Sequence, residues 1–317
     1  SGGRYSLTGN EQMQRRPIGD LTGALAAAGL GCKATAGNFP PVEIDSQGID
    51  SREIEIKGEV SSQFISALLL AAPLARGTIG IRTRGPVVSK PYIDLTIRML
   101  ADFGVPCQRE DYDYFQIEGR ELTSPGNYRV EGDATAATYF LGLGALPGSG
   151  PIQIQGLRPD SAQGDLGFTD VIHRFGGICT FAGEDLVVRS GKEFEAVDLD
   201  FNAMPDAAMT AAVLAAFARG QSRLRGLANL ELKESKRLTN LATELCRLGV
   251  PARAGKDELV VDGGGPLSAA RVETYKDHRM AMAFSLASYG TDLTILDPGC
   301  VSKTFPDYFD VFYRLFA

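Results

Sequence analysis

The sequence predicts an α/β fold, α+β in some schemes, assembled from repeated strand–helix–strand–helix–strand–strand units with a period of about 73 residues. Three observations carry that expectation. Four segments each pass from an acidic residue into a run of small apolar residues: "GEVSSQFISALLLAAPLARG", "EGDATAATYFLGLGALPG", "MPDAAMTAAVLAAFARG" and "KDHRMAMAFSLASYG". Their acidic residues, Glu59, Asp133, Asp206 and Asp277, lie 74, 73 and 71 positions apart. A second series runs in step, as helix-like segments closing on Gly29, Gly104, Gly176 and Gly249 at spacings of 75, 72 and 73. Two markers that agree in period make a chance repeat a poor explanation. The third observation concerns the residues after each glycine: a strand, a tight turn such as "GED" or "GKDE", and an alternating strand such as "LVVRS" or "ELVVDG".

The remaining elements take their places in the same register. A strand precedes each glycine-ended helix, as in "GTIGIRTRG", "PIQIQGL" and "QSRLRGL". Helices supply one face of a core and sheets the other. Residues 1 to about 57 read as the second half of a repeat, and the chain stops partway through another after "KDHRMAMAF". The expectation is therefore that sequence is missing in front of Ser1.

Composition narrows the function. A length of 317 residues suggests about two domains, and an apolar fraction of 44% beside 22% charge is that of a folded globular chain. Net charge of −7 argues against a nucleic-acid or anionic-membrane binder. No apolar run reaches bilayer length and no leader pattern stands at the front, so the expected location is the cytoplasm. The five cysteines lack any CxxC spacing and read as small core residues, and with only His173 and His278 a histidine metal site is not expected. His173 reads as structural.

Chemistry gathers at helix starts. Unpaired N–H groups and the helix dipole draw anions there, and the polar residues at these starts suit a shared anion site: Ser61, Ser62 and Gln63; Asp206; Lys276, His278 and Arg279. Asp133 and Thr135 read as ordinary caps. Lys276 and Arg279 do not, because cations oppose the dipole unless an anion compensates. Further basic residues sit at comparable junctions: Lys233, Lys236 and Arg237 around Glu234, Lys90 beside Ser89 and Tyr92, Lys303 beside Ser302, and Arg15 and Arg16 before Pro17, which suits a first helical position. Arginine grips carboxylate or phosphate with a planar fork, so Arg16, Arg237 and Arg279 are candidates to clamp one small anion. Glu234 is a candidate proton-transfer group. Phosphate-loop, GxSxG and HExxH motifs are absent from the sequence.

Taken in order, "LTGNEQMQRRPIGDL", "GEVSSQFISALLLAAPLA", "VSKPYIDLT", "MPDAAMTAA", "LKESKRLTNLATEL", "YKDHRMAMAFSLA" and "SKTFPDYF" closely resemble the 5-enolpyruvylshikimate-3-phosphate synthases, from about Leu7 to the C-terminus. The resemblance implies the two-lobed enolpyruvyl transferase fold, with a boundary near Tyr128 to Asp133. Residues 1–130 would be a partial first lobe on the shikimate 3-phosphate side, and residues 131–317 a second lobe on the phosphoenolpyruvate and catalytic side.

By the same resemblance, Ser61, Ser62, Gln63, Ser89, Tyr92, Asp206, Asn229 and Lys233 would bind shikimate 3-phosphate. Arg16, Gln63, Arg237, His278, Arg279 and Lys303 would bind phosphoenolpyruvate. Asp206, Glu234 and Lys303 would be catalytic, without metal or cofactor. The intact protein is expected to be a monomer acting on those two small molecules, with no nucleic-acid or membrane partner. A front segment of roughly a hundred residues that the family carries, including a Lys-Ser and an Asn-Ala-Gly-Thr stretch, has no counterpart here, which puts the activity of this chain alone in question. The alternatives are the sister transferase acting on UDP-N-acetylglucosamine, disfavoured by "SKPYIDLT" and "DHRMAM", and a non-catalytic anion-binding fragment.

Overall fold

The computed structural model describes residues 2–50 and 52–316. It divides into two compact units, Ser1–Arg129 and Val130–Ala317. Among the described residues no helix is long and apolar enough to cross a membrane.

The first unit opens with β1 (Gly3–Leu7), the one-turn α1 (Glu11–Gln14), α2 (Gly19–Ala27), β2 (Gly31–Ala36) and β3 (Phe39–Ser46). Its three strands form an antiparallel sheet in the order β1-β3-β2. A complete repeat comes next: β4 (Arg52–Lys57), α3 (Ser62–Ala71), β5 (Thr78–Arg84), α4 (Lys90–Asp102), β6 (Gln108–Glu110) and β7 (Tyr114–Glu118). Its sheet runs β4-β5-β7-β6, with only β4–β5 parallel. Ile54, Ile65, Leu69, Ile79, Ile81, Ile93 and Phe115 fill the core beneath α3 and α4. Pro17 falls two residues before α2 rather than at its first turn, because the chain there is tied to Asn38 O by the N–H groups of Ile18 and Gly19.

The second unit contains α5 (Ala134–Ala145), β8 (Ile152–Ile154), α6 (Phe168–Phe175), β9 (Ile178–Ala182) and β10 (Asp185–Arg189). A second complete repeat then comprises β11 (Asp198–Asp200), α7 (Ala208–Phe217), β12 (Gly220–Arg225), α8 (Arg237–Arg247), β13 (Ala252–Ala254) and β14 (Glu258–Gly263). Last come β15 (Ala270–Val272), α9 (His278–Ser285), β16 (Leu293–Ile295) and α10 (Tyr308–Arg314). The order β11-β12-β14-β13, again with only the first pair parallel, duplicates that of the first unit. The repeat containing α5 has no strand before its helix among the described residues. One hydrogen bond, from Gly132 N–H to Gly156 O at 2.8 Å, stands in that place.

The repeat glycines have one physical job. Gly29, Gly104, Gly176 and Gly249 all take positive φ, between 79° and 104°. In each case the N–H of the following residue reaches back five residues, as from Val105 to Leu100 O and from Val250 to Leu245 O at 2.8 and 3.0 Å. This is the Schellman closure, which only glycine makes without strain.

The helices of the acidic series are apolar all round because they are enclosed. Every residue of α5 except Ala136 is buried, and every residue of α7 except Phe217. α7 packs against both α5 and α9. A Cβ on Gly142 would come within 2.7 Å of Leu286 and 3.0 Å of Thr210, so this glycine sets how closely the helices approach. Thr138 and Thr210, 72 residues apart in the repeat, share a buried hydrogen bond at 3.0 Å. α6 and α8 lie further out, with apolar stripes such as Leu238, Leu241 and Leu245 turned inward.

The cysteines need a correction. All five are free, but only Cys179 is buried, and Cys246 stands exposed on the outward side of α8.

Candidate active site

Arg237, the first residue of α8, is the largest fully buried side chain of the protein. A guanidinium without solvent needs partners on every edge, and it has them. Nε and Nη2 form a two-pronged bond to Asp277 at 2.7 and 3.1 Å, Nη1 reaches Asp206 at 2.9 Å, and Nη2 also reaches Glu234 at 2.7 Å. Around this centre Lys233 lies 3.4 Å from Asp206 and Arg279 lies 3.1 Å from the other oxygen of Asp206. Lys303 is bonded to Glu234. Asp277 also caps α9, accepting from the Arg279 N–H at 3.0 Å and from the Ser235 hydroxyl at 3.1 Å.

Four cations thus face three carboxylates in direct contact, and the buried Asp165 acts on Arg279 as a fourth. Burial pushes the Asp206 carboxyl upward, but Arg279, Arg237 and Lys233 together outweigh it and hold it well below the usual carboxylate range. Burial likewise opposes ionisation of Glu234, and Arg237 and Lys303 override it. His278 is pushed down to about 4, first by burial and then by the charge of Arg279. Its Nδ1 makes no hydrogen bond and lies 3.6 Å from Asp277.

One expectation changes here. Arg279 does not stand open for an outside anion, because Asp206 and the Tyr139 hydroxyl, 3.4 Å away, already hold it. The anion that offsets cations at the start of α9 is in the first instance the protein's own. Asp206 itself caps nothing and sits in a short 3-10 turn, Pro205–Ala207, leading into α7. Ser302 and Lys303 likewise do not open a helix: they end the 3-10 segment Pro298–Lys303, five residues ahead of α10. Asn229 lies in the 3-10 segment Ala228–Leu232, its Oδ1 buried and without a hydrogen bond.

The first unit holds the remaining sequence candidates. Ser61 caps α3, accepting from the Gln63 N–H at 3.2 Å, and Ser62 is buried behind it. Ser89, also buried, precedes α4 in a left-handed conformation (φ 53°) without making a cap bond, and Tyr92 lies in the first turn of α4. Arg16 is half-buried in the turn after α1, its N–H bonded to Met13 O. The structure therefore brings Asp206, Lys233, Glu234, Arg237, Arg279 and Lys303 together within the second unit, with His278 alongside.

Sequence reasoning named Asp277 only as a helix-start acid and missed it as the main partner of Arg237. It missed Tyr139 altogether. A lone hydroxyl-bearing ring in the apolar helix α5 was the available signal.

The profile of the family described as EPSP synthase (3-phosphoshikimate 1-carboxyvinyltransferase) matches residues 1–312. The chain belongs to the EPSP synthase family. It is 44% identical over 318 residues to the 3-phosphoshikimate 1-carboxyvinyltransferase of Shewanella sp. (strain MR-7), covering 99% of this chain and 74% of the relative. The enzyme of that name from Vibrio atlanticus is 44% identical over 311 residues, covering 97% and 72%. Among solved structures, EPSP synthase from Acinetobacter baumannii superposes with a TM-score of 0.77 at 23% identity, covering 98% and 73%. The enolpyruvyl transferase NikO from Streptomyces tendae superposes at 0.78 and 19%, covering 99% and 73%. These two likenesses establish the enolpyruvyl transferase fold, and the sequence relatives establish the EPSP synthase family.

Proposed function

We propose that this chain carries out the reaction for which its relatives are named: transfer of the enolpyruvyl group of phosphoenolpyruvate to the 5-hydroxyl of shikimate 3-phosphate, with release of phosphate. The observation that carries the reading is the ionic cluster around Arg237, in which six residues from four family motifs meet. A cluster that gathers four cations in one place is suited to phosphorylated reactants, whose anionic oxygens compete with the carboxylates for them.

Each residue then has a task. Arg279, Arg237 and Lys303 bind phosphoenolpyruvate as its anionic groups displace the carboxylates that now hold these cations, and Arg16, Gln63 and His278 are assigned to the same reactant by the family's motifs. Ser61, Ser62, Ser89, Gln63 and Tyr92 take shikimate 3-phosphate, with Asp206, Asn229 and Lys233 on its hydroxyls and phosphate. Asp206, ionised and largely enclosed, accepts the proton of the attacking 5-hydroxyl. The methylene carbon of phosphoenolpyruvate must gain a proton as the hydroxyl oxygen bonds to the neighbouring carbon.

Glu234 is the candidate donor, yet Arg237 and Lys303 hold it ionised. An incoming phosphate competes for those two cations, which raises the proton affinity of Glu234, and the Lys303 ammonium bonded to it is the adjacent proton source. The tetrahedral adduct then loses phosphate by cleavage of its carbon–oxygen bond, and a methyl proton returns to the base as the double bond re-forms.

Phosphate release from phosphoenolpyruvate, measured with shikimate 3-phosphate and in parallel with UDP-N-acetylglucosamine, tests the proposal. Release with the former alone supports it. Measured on the full-length protein, release only with the sugar nucleotide, or with neither, overturns it. Within the active protein, Glu234→Gln should lower kcat by about 10²- to 10⁴-fold. Arg279→Ala should raise KM for phosphoenolpyruvate roughly 10- to 100-fold, the worth of one or two charge-assisted hydrogen bonds.

A further inference from the structure

The chain enters the cluster through a turn that its own residues do not favour. Thr274 O accepts from the Asp277 N–H at 2.8 Å, and the two residues between, Tyr275 and Lys276, have φ of 54° and 57°. Positive φ at both central positions is the mark of a type I′ turn, a place for glycine or asparagine rather than tyrosine and lysine. Such a conformation persists only where surrounding contacts impose it.

The contacts come from α8. Glu244 has no exposed surface, and its Oε2 accepts from the Glu273 N–H at 3.1 Å while its Oε1 accepts from the Tyr275 hydroxyl at 2.6 Å. Arg247, 3.3 Å away, supplies the countercharge. Burial first, and then this bond to Glu244, push the Tyr275 phenol up to about 12, so it remains a donor at any working pH. Glu244 lies seven residues after Arg237, on the same face of α8, and Arg237 grips Asp277 just beyond the turn.

We infer that Glu244 is a positioning residue: with Arg237 it staples both ends of the Thr274–Asp277 turn to one face of α8, fixing the direction in which Asp277, His278 and Arg279 enter the site. The consequence for function rests on the reading of Arg279 as a phosphoenolpyruvate ligand.

The test uses Glu244→Gln and Tyr275→Phe in the active enzyme. Both should raise KM for phosphoenolpyruvate about tenfold, the scale of a slightly misplaced binding group, while KM for shikimate 3-phosphate stays within about twofold. Amide hydrogen exchange should quicken across residues 274–280 and stay unchanged across 238–248. Unchanged exchange at 274–280 overturns the staple. Equal rises in both KM values with a lowered melting temperature also overturn it, since that marks a general structural role. Arg279→Lys serves as the control: if it leaves KM for phosphoenolpyruvate untouched, the site reading fails instead, and the exchange pattern alone decides the staple.

Discussion

The helices α3 and α9 begin at equivalent places in the repeat, yet the two starts are built on opposite principles. α3 opens on Ser61, Ser62 and Gln63, neutral groups in which one hydroxyl caps one N–H. α9 opens on Asp277, His278 and Arg279, where a carboxylate both caps the helix and holds a fully buried guanidinium from α8. The scaffold is shared and the chemistry is not. A neutral start is stable without a ligand, and on the proposed reading it takes a ligand phosphate through hydroxyl and backbone donors. A charged start must balance itself first, and this one does so with carboxylates; on the proposed reading, an anionic substrate competes with them for the same cations. Repetition thus fixes where functional groups stand, and local charge decides what they do.

The comparison breaks most severely at Arg237. Arg237→Ala leaves Asp277, and with it parts of Asp206 and Glu234, as carboxylates without their main countercharge. The expected loss is about 3–5 kcal/mol in the unfolding free energy of the second unit, read by urea denaturation. Arg237→Lys should recover part of it, since an ammonium offers charge without the two-pronged fork. A loss below about 1 kcal/mol for the alanine variant would show that the ion cluster is not what holds α8 and α9 together.

The next effect is a pH dependence confined to the charged start. His278 ordinarily titrates at 6.5 and is held at about 4 in the folded protein. Between those values the unfolded chain takes up a proton that the folded one refuses, so stability falls as pH falls from about 6.5 to about 4. The ceiling is roughly 3 kcal/mol. Asp206 and Glu234 act in the same direction lower down, because depressed carboxylate values mean stability present above their ordinary 3.8 and 4.5 and lost below. His278→Gln should flatten the upper part of the curve and leave the lower part. An unaltered slope between pH 6.5 and 4.5 would remove His278 as its source.

How much of this was legible in the sequence depends on the distance over which each feature acts. Gly29, Gly104, Gly176 and Gly249 close their helices as expected, because a left-handed closure is a local demand that glycine meets. Asp133 caps α5 as expected, for the same reason. The pairing of Arg279 with Asp206 was not legible, because the two are 73 residues apart in the chain. Lys303 and Glu234 meet across 69 residues. Glu244 leaves a trace in the sequence that is easily passed over: it stands beside Leu241, Leu245 and Leu248, where a core-facing stripe has no use for a carboxylate unless something binds it.

The smallest effect lies at the neutral start, and it is the sharpest control. Ser61→Ala removes a single cap bond to the Gln63 N–H. It should cost about 1 kcal/mol in the first unit and be independent of pH between 4 and 8, since no titrating group takes part. Its effect on binding should fall on shikimate 3-phosphate and not on phosphoenolpyruvate. If Ser61→Ala instead produced a pH-dependent loss, or weakened phosphoenolpyruvate alone, the two helix starts would not divide the labour as their chemistry implies. In that case the contrast between hydroxyl and ionic starts would describe how the helices are capped rather than how the reactants are held.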